Sequence, residues 1–435
     1  MTATSAEAVA RLEDTILAFC SLKLATGDRL KAALATDAQL VMAHLLRGYF
    51  MVMLGKRELL GRAQQALDAA DRAIAVVGAT PRERLHRDAL AAWIARDLTL
   101  TIARFEALLG QFPRDLVVLK LTQFVLFYAG ESGRMRDTVA SALGAWDESL
   151  PGYGFALGCH AFGLEETGDY AAAERAGRKA IELNPQDIWG AHAVAHVCEM
   201  QDRVEDGLAW IGAHEAQWRD VNNFAFHVWW HRCLFLLAQR RFDEVLAQYD
   251  REVRAESTDD YLDITNAVAL LWRLEQRGVA VGDRWRELAA RAAERVGDHM
   301  LVFADAHYAM ALAAVDRGGF ARWQESARDY ATRSQETQAG IMRDIGLALG
   351  DAALAHRAEQ FAMVLDRLLP QHDAIHRIGG SHAQRDLFAQ LLIDSAVRAG
   401  RYDVARELLG ERLRERPQNG WGLDAMNLLA RIEPI

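Results

Sequence analysis

Residues 154–185 read GFALGCHAFGLEETGDYAAAERAGRKAIELNP. Apolar side chains recur at i, i+3 and i+4 on both sides of Gly168-Asp169, which is the period of an amphipathic helix. The stretch predicts a helix, a tight turn at Gly168-Asp169, a second helix and a stop at Asn184-Pro185. Gly158, Ala161, Ala173 and Ala180 are small, so the two helices of the unit approach each other closely.

The same period fills most of the chain, including Arg29–Leu46, Arg57–Val77, Arg82–Leu109, Leu116–Ala129 and Thr138–Trp146. Short breaks at Thr80-Pro81, Phe112-Pro113-Arg114 and Leu150-Pro151-Gly152 separate these segments. No hairpin dipeptide sits between alternating apolar runs, so strands are not expected. Pro151 and Pro185 are 34 residues apart, and Pro113 and Pro151 are 38 apart. A spacing near 34 is the tetratricopeptide period. Another unit turns at Gln239–Phe242, and a last one spans Ala396–Pro417 with its turn at Gly400-Arg401-Tyr402. The expectation is an all-α, tetratricopeptide-like helical-repeat solenoid of about a dozen helix pairs. It would be a single array over 1–435, clearest at 152–250, with C-terminal repeats at 376–435. Such pairs cannot bury a core alone and share one when stacked.

Composition agrees. Hydrophobic residues make up 51% of the 435, charged residues 25%, and there are only 7 prolines. The 50 Lys+Arg against 60 Asp+Glu leave a net charge of −10, which argues against nucleic acid or an anionic membrane as partner. No basic segment followed by an apolar run opens the chain, and no apolar stretch reaches ~18 residues. Cys20, Cys159, Cys198 and Cys233 form no CxxC pair and no disulfide framework. A cytoplasmic protein is expected. Homo-oligomerisation stays open.

Several segments carry a resemblance. They are Ala161–Tyr170, Asn184-Pro185, His192-Ala-Val-Ala-His196, Glu199-Met200 and Phe226-His-Val-Trp-Trp-His231, then Asp305-Ala-His307 and Gly379-Gly-Ser-His-Ala-Gln-Arg-Asp386. In this order, from about residue 150 to 390, the chain resembles the tetratricopeptide repeat protein 38 family, more weakly over its N-terminal third. The resemblance implies an all-helical solenoid and brings no catalytic role or ligand with it.

The histidines form a ladder. His192 and His196 are i,i+4, as are His227 and His231, and each pair shares a helix face. The two pairs are offset by 35 residues; His160 lies 36 before His196, and Asp263 lies 36 after His227. These are equivalent places on successive first helices, and the resemblance implies that such helices line a concave wall. Trp229 and Trp230 are candidates for aromatic walls, and Asp305, His307 and Asn266 add polar groups. Cys198 and Cys233 follow a histidine by two positions, ~200° around the helix, and are expected to be buried packing residues.

Two chemistries suit the ladder. Histidines at i and i+4 chelate a divalent metal, with His192, His196, His227, His231 and Glu199 as candidate ligands. The segment His192–His196 lacks the glutamate that a zincin places after its first histidine. The other reading is a polar binding wall that includes His160, His227, Trp230, Asp263 and His307. Downstream, Gly379-Gly380 precede Ser381 and Gln384, a capping box. The helix start there offers free N–H groups, with His382, Arg385 and Asp386 beside it, and is a candidate anion subsite. The Arg–Glu stretch 401–416 reads as a solvated face. No P-loop, dinucleotide fingerprint or nucleophile elbow occurs. The expected function is a helical-repeat protein binding a small-molecule or peptide ligand in a histidine-rich concave cavity. The alternative is an enzyme using the same cavity for acid–base or metal chemistry, with His192, His196, His231, His382 and Asp386 as candidates.

Overall fold

A computed structural model describes residues 1–432. Among them are twenty-four α-helices, and the only β-pairing is an isolated bridge between Lys23 and Val221. Neighbouring helices joined by short turns pack against one another along the chain. The fold is a tetratricopeptide-like helical-repeat array of about a dozen pairs, as the period predicts. No described helix is long and apolar enough to cross a membrane.

The helices divide between two units. The first comprises Met1–Val194, His214–Ala225 and Gln335–Gln338. It contains α1 (Ala6–Cys20), α2 (Thr26–Thr36), α3 (Val41–Met53), α4 (Leu60–Val77), α5 (Pro81–Ile94), α6 (Leu98–Gln111), α7 (Leu116–Ala129), α8 (Ser132–Leu143), α9 (Tyr153–Glu165) and α10 (Tyr170–Leu183). The turn between α9 and α10 falls where the sequence puts it. Gly168 has a φ of +84°, and the Asp169 carboxylate caps α10 by accepting the Ala172 N–H at 3.1 Å. Helix α9 is apolar all round and buried on nearly every face. Helix α10 buries only Ala173, Gly177, Ala180 and Ile181 and turns its charged face outward.

Helix α11 (Ile188–Met200) begins in the first unit and ends in the second. The second unit comprises Ala195–Ala213, Phe226–Ser334 and Ala339–Ile435. Its elements are α12 (Val204–His214), α13 (Phe224–Ala238), α14 (Phe242–Gln248), α15 (Tyr261–Glu275), α16 (Arg284–Ala293), α17 (Val302–Val315) and α18 (Arg317–Arg333). A short α19 (Thr337–Ile341) runs through a π turn into α20 (Leu347–Arg357); α21 (Phe361–Leu368), α22 (His382–Arg398), α23 (Tyr402–Glu415) and α24 (Gly420–Ile432) follow. Within this unit α15 and α17 are buried over most of their length, and both bury polar groups: Asp263, Asn266 and Arg273 on α15, Asp305 and His307 on α17. Burying polar groups is costly, so these positions mark where the unit invests in polar chemistry.

Candidate functional site

The second unit brings three of the ladder histidines together. His196 on α11 and His231 on α13 have ring centroids 4.3 Å apart, and His227 lies 4.7 Å from His231. All three are buried. Each offers a ring nitrogen, and these nitrogens lie within 4.8 Å of one another. The Nε2 atoms of His227 and His231 are 3.3 Å apart. Their outer nitrogens are held from other helices. His231 Nδ1 is 2.9 Å from Glu199 Oε2 on α11, and His227 Nδ1 is 3.2 Å from Asn266 Oδ1 on α15. Trp230 stacks on His227 at 5.3 Å and 14°, and the Arg273 guanidinium lies over the same Trp230 ring at 5.7 Å.

The electrostatics follow from burial. It pushes His227 well below the ordinary histidine range, helped by His231 and His196, and pushes His231 down likewise, helped by His196 and Arg273. Both imidazoles are therefore neutral. Burial also pushes Glu199 up, against the pull of Arg416 and His196. His307 on α17 is taken down to about 4 by burial, against a hydrogen bond from its Nδ1 to the Phe303 carbonyl at 2.7 Å. Trp230 Nε1, Asn266 Nδ2 and His307 Nε2 are buried without a hydrogen-bond partner among the described residues. Such atoms cost about 1–3 kcal/mol each unless something occupies them.

Beside the histidines opens a groove of 1120 Å³. Glu199 and Arg273 link the two: both line the groove, Glu199 contacts His231, and Arg273 lies over Trp230, which stacks on His227. Asp386 on α22 lies in its wall, gripped by Arg412, with the Nη2–Oδ2 distance 3.2 Å, and it stands 4.0 Å from Arg273. Burial alone would raise Asp386, but Arg412 holds it well below the carboxylate range. Arg416 donates to the Glu199 carbonyl at 2.9 Å, and Asn419 donates to Asp202 at 3.0 Å.

The remaining candidates have other neighbours as well. His192 is in the first unit, where its ring packs among Phe162, Trp189 and Phe224 at 5.5, 5.5 and 5.0 Å. His160, also in that unit, is half-buried and pushed down by burial and by Arg136. Asp263 is buried and accepts from Thr258 Oγ1 at 2.6 Å. Asp305 is engaged by His299 at 2.9 Å and Trp323 at 3.3 Å. The capping box forms as expected: Ser381 N donates to Gln384 Oε1 at 3.0 Å, and Gln384 N donates to Ser381 Oγ at 3.3 Å. Arg385 turns its guanidinium back onto the Gly380 carbonyl instead of forward into the groove, and His382 is half-buried. Of the candidate residues, Glu199 and Asp386 line the groove.

The sequence reading misses the arginines. Arg240, Arg273, Arg277, Arg412, Arg416 and Arg431 all line the groove. The stretch 401–416 is not wholly a solvated face, because Arg412 and Arg416 are buried, 8% and 7% exposed. A signal existed for Arg273, the sole polar residue of Ala267–Leu274. An arginine in an apolar run at helical spacing is buried with a partner.

No family model matches the chain. Among solved structures it is similar to yeast Tom70, at 13% identity and a TM-score of 0.37, covering 93% of this chain and 84% of that one. It is also similar to Naa15/Naa10 bound to HypK-THB, at 15% identity and a TM-score of 0.31, covering 98% of this chain and 70% of that one.

Proposed function

We propose that this helical-repeat protein binds an anionic ligand, a small molecule or a short peptide, in the groove of its second unit above the histidine cluster. The carrying observation is charge. Six arginines line the groove against four carboxylates, Glu199, Asp202, Asp386 and Asp424. Burial raises both Glu199 and Asp202, against the pull of Arg416. Arg277 is the decisive member. Its hydrogen bond goes to the Arg273 carbonyl at 2.8 Å, and among the described residues no carboxylate pairs with it. Burial, together with Arg273, takes it down to about 10. A half-buried guanidinium without a counter-ion is a fixed donor fork for a carboxylate or phosphate. The chain as a whole is acidic, so this concentration of arginine is local and not a by-product of composition. We read the histidine-bearing segments as those of the tetratricopeptide repeat protein 38 family, and residues 1–435 as one repeat array.

The test is calorimetric titration of the purified chain with a panel of carboxylates, phosphates and acidic peptides, alongside neutral and cationic analogues. Anionic members are expected to bind, and to weaken as salt rises. Arg277→Ala is expected to weaken them roughly tenfold or more, about 1.4 kcal/mol, without moving the melt. Selection of cationic ligands, or an unchanged affinity in Arg277→Ala, overturns the reading. An enzyme using the same groove is the second reading. The three buried imidazoles behind Glu199 favour it, and turnover of a bound anion would distinguish it from simple capture.

A further inference from the structure

We propose that His196, His227 and His231 bind one divalent transition-metal ion, with zinc the best fit, and that Glu199 and Asn266 orient the ligands from behind.

The positions of the ring protons decide what this cluster can hold. His227 Nδ1 faces a carbonyl oxygen, Asn266 Oδ1 at 3.2 Å, and His231 Nδ1 faces a carboxylate oxygen, Glu199 Oε2 at 2.9 Å. Both partners accept hydrogen bonds, so both Nδ1 atoms carry the proton. In a neutral imidazole the other nitrogen is then a lone pair. The two lone pairs, on His227 Nε2 and His231 Nε2, are directed at each other across 3.3 Å. Two lone pairs at that distance repel unless a cation lies between them.

The spacing selects the cation. Two nitrogen ligands at ~2.0–2.1 Å from a tetrahedral zinc stand about 3.3–3.4 Å apart. His196 supplies a third nitrogen within 4.8 Å of both. The ligands come from two helices, α11 and α13, and are buried, so their rotamers are fixed by packing. The outer contacts match what metal-bound histidines use: the far ring N–H goes to a carboxylate on one and to a carbonyl on the other. Glu199 is thus a positioning residue and not the direct ligand that its place one turn beyond His196 suggests. Arg273 is a fixed positive charge that acts on His231, and Asp386 at 4.0 Å from it offsets it. This proposal does not depend on anion binding in the groove.

The test uses the full chain, purified without an affinity tag or chelator, then stripped and titrated with zinc and with cobalt. We expect about one tightly held equivalent per chain and a tetrahedral cobalt spectrum. His227→Gln and His231→Gln should each lose it. Glu199→Gln should keep the stoichiometry and bind about 10–100-fold more weakly, as loss of an outer partner does. If the glutamine variants fail to fold, X-ray absorption of the zinc-loaded wild type decides, with imidazole ligation expected. No binding by the wild type overturns the proposal. So do binding that survives in folded variants and an absorption spectrum without imidazole. Anion titration of the stripped protein separates this outcome from the groove's.

Discussion

Single residues set how closely these helices pack. Gly350 on α20 lies against the indole of Trp323 on α18, and a Cβ there would overlap its ring atoms. Trp323 cannot retreat: it is fully buried, and its Nε1 is anchored on Asp305 at 3.3 Å. Gly410 on α23 has no such neighbour, only the flexible end of Arg414 at 3.7 Å. The same substitution should therefore act in opposite directions. Gly410→Ala is expected to stabilise by about 0.5–1 kcal/mol, because a helical glycine loses more backbone freedom than alanine on folding. Gly350→Ala gains that term too, but forces the indole to move at a cost of about 1–3 kcal/mol, and is expected to destabilise. Urea denaturation of both variants checks the pair, and equal signs would disprove the packing argument. The close approach in the α9–α10 unit was legible in its small residues. A Cβ on Gly177 of α10 would stand 3.6 Å from the Ala161 Cβ of α9.

At the scale of the element, helix starts are held by carboxylates, and one of them also ties two helices together. Asp115 caps α7 by accepting the Val118 N–H at 3.0 Å, and it receives His86 Nε2 from α5 at 2.8 Å. Arg82 adds a third contact at 3.3 Å. Burial pushes the Asp115 carboxyl up, but His86, Arg82 and the cap together bring it to about 2. The folded pKa is thus below the unfolded one. The contribution is complete above the unfolded value, near 4, and is lost as pH falls through about 2. Asp115→Asn is expected to cost about 2 kcal/mol at pH 7, with the gap to wild type closing below pH 4. Denaturant melts across that range test it, and a gap independent of pH would show that the charge is not what matters. The helices, the Gly168 turn and the Ser381 box were readable because each is a local signal. Asp115 as a tie to α5 was not, since His86 is 29 residues away and nothing in its own neighbourhood announces it.

Across the whole molecule, the parts of the site that the sequence hid are those made by chain return. His227 and His231 declared themselves through an equal offset, whereas the arginines come from remote helices and have no shared period with the histidines. On α23 the buried positions are Val404, Ala405, Leu408, Leu409 and Arg412. Arg412 therefore falls on the apolar stripe, and only its charge made it read as surface. Its role is to bring the C-terminal helices of the second unit onto Asp386, while Arg416 reaches the Glu199 carbonyl 217 residues earlier in the chain. Losing one partner of a buried ion pair leaves the other charge desolvated, at a cost of about 3–5 kcal/mol. Losing both partners costs much less. Arg412→Met is accordingly expected to destabilise strongly, and Arg412→Met with Asp386→Asn to recover much of the loss, a coupling that only direct contact produces. Arg416→Met should leave α23 folded but speed amide exchange at residues 196–203, because it removes the bond that holds the end of α11. Additive losses in the double variant would mean that Asp386 and Arg412 do not share a buried pair. Exchange unchanged at 196–203 would mean that the C-terminal helices do not support the helix carrying His196 and Glu199.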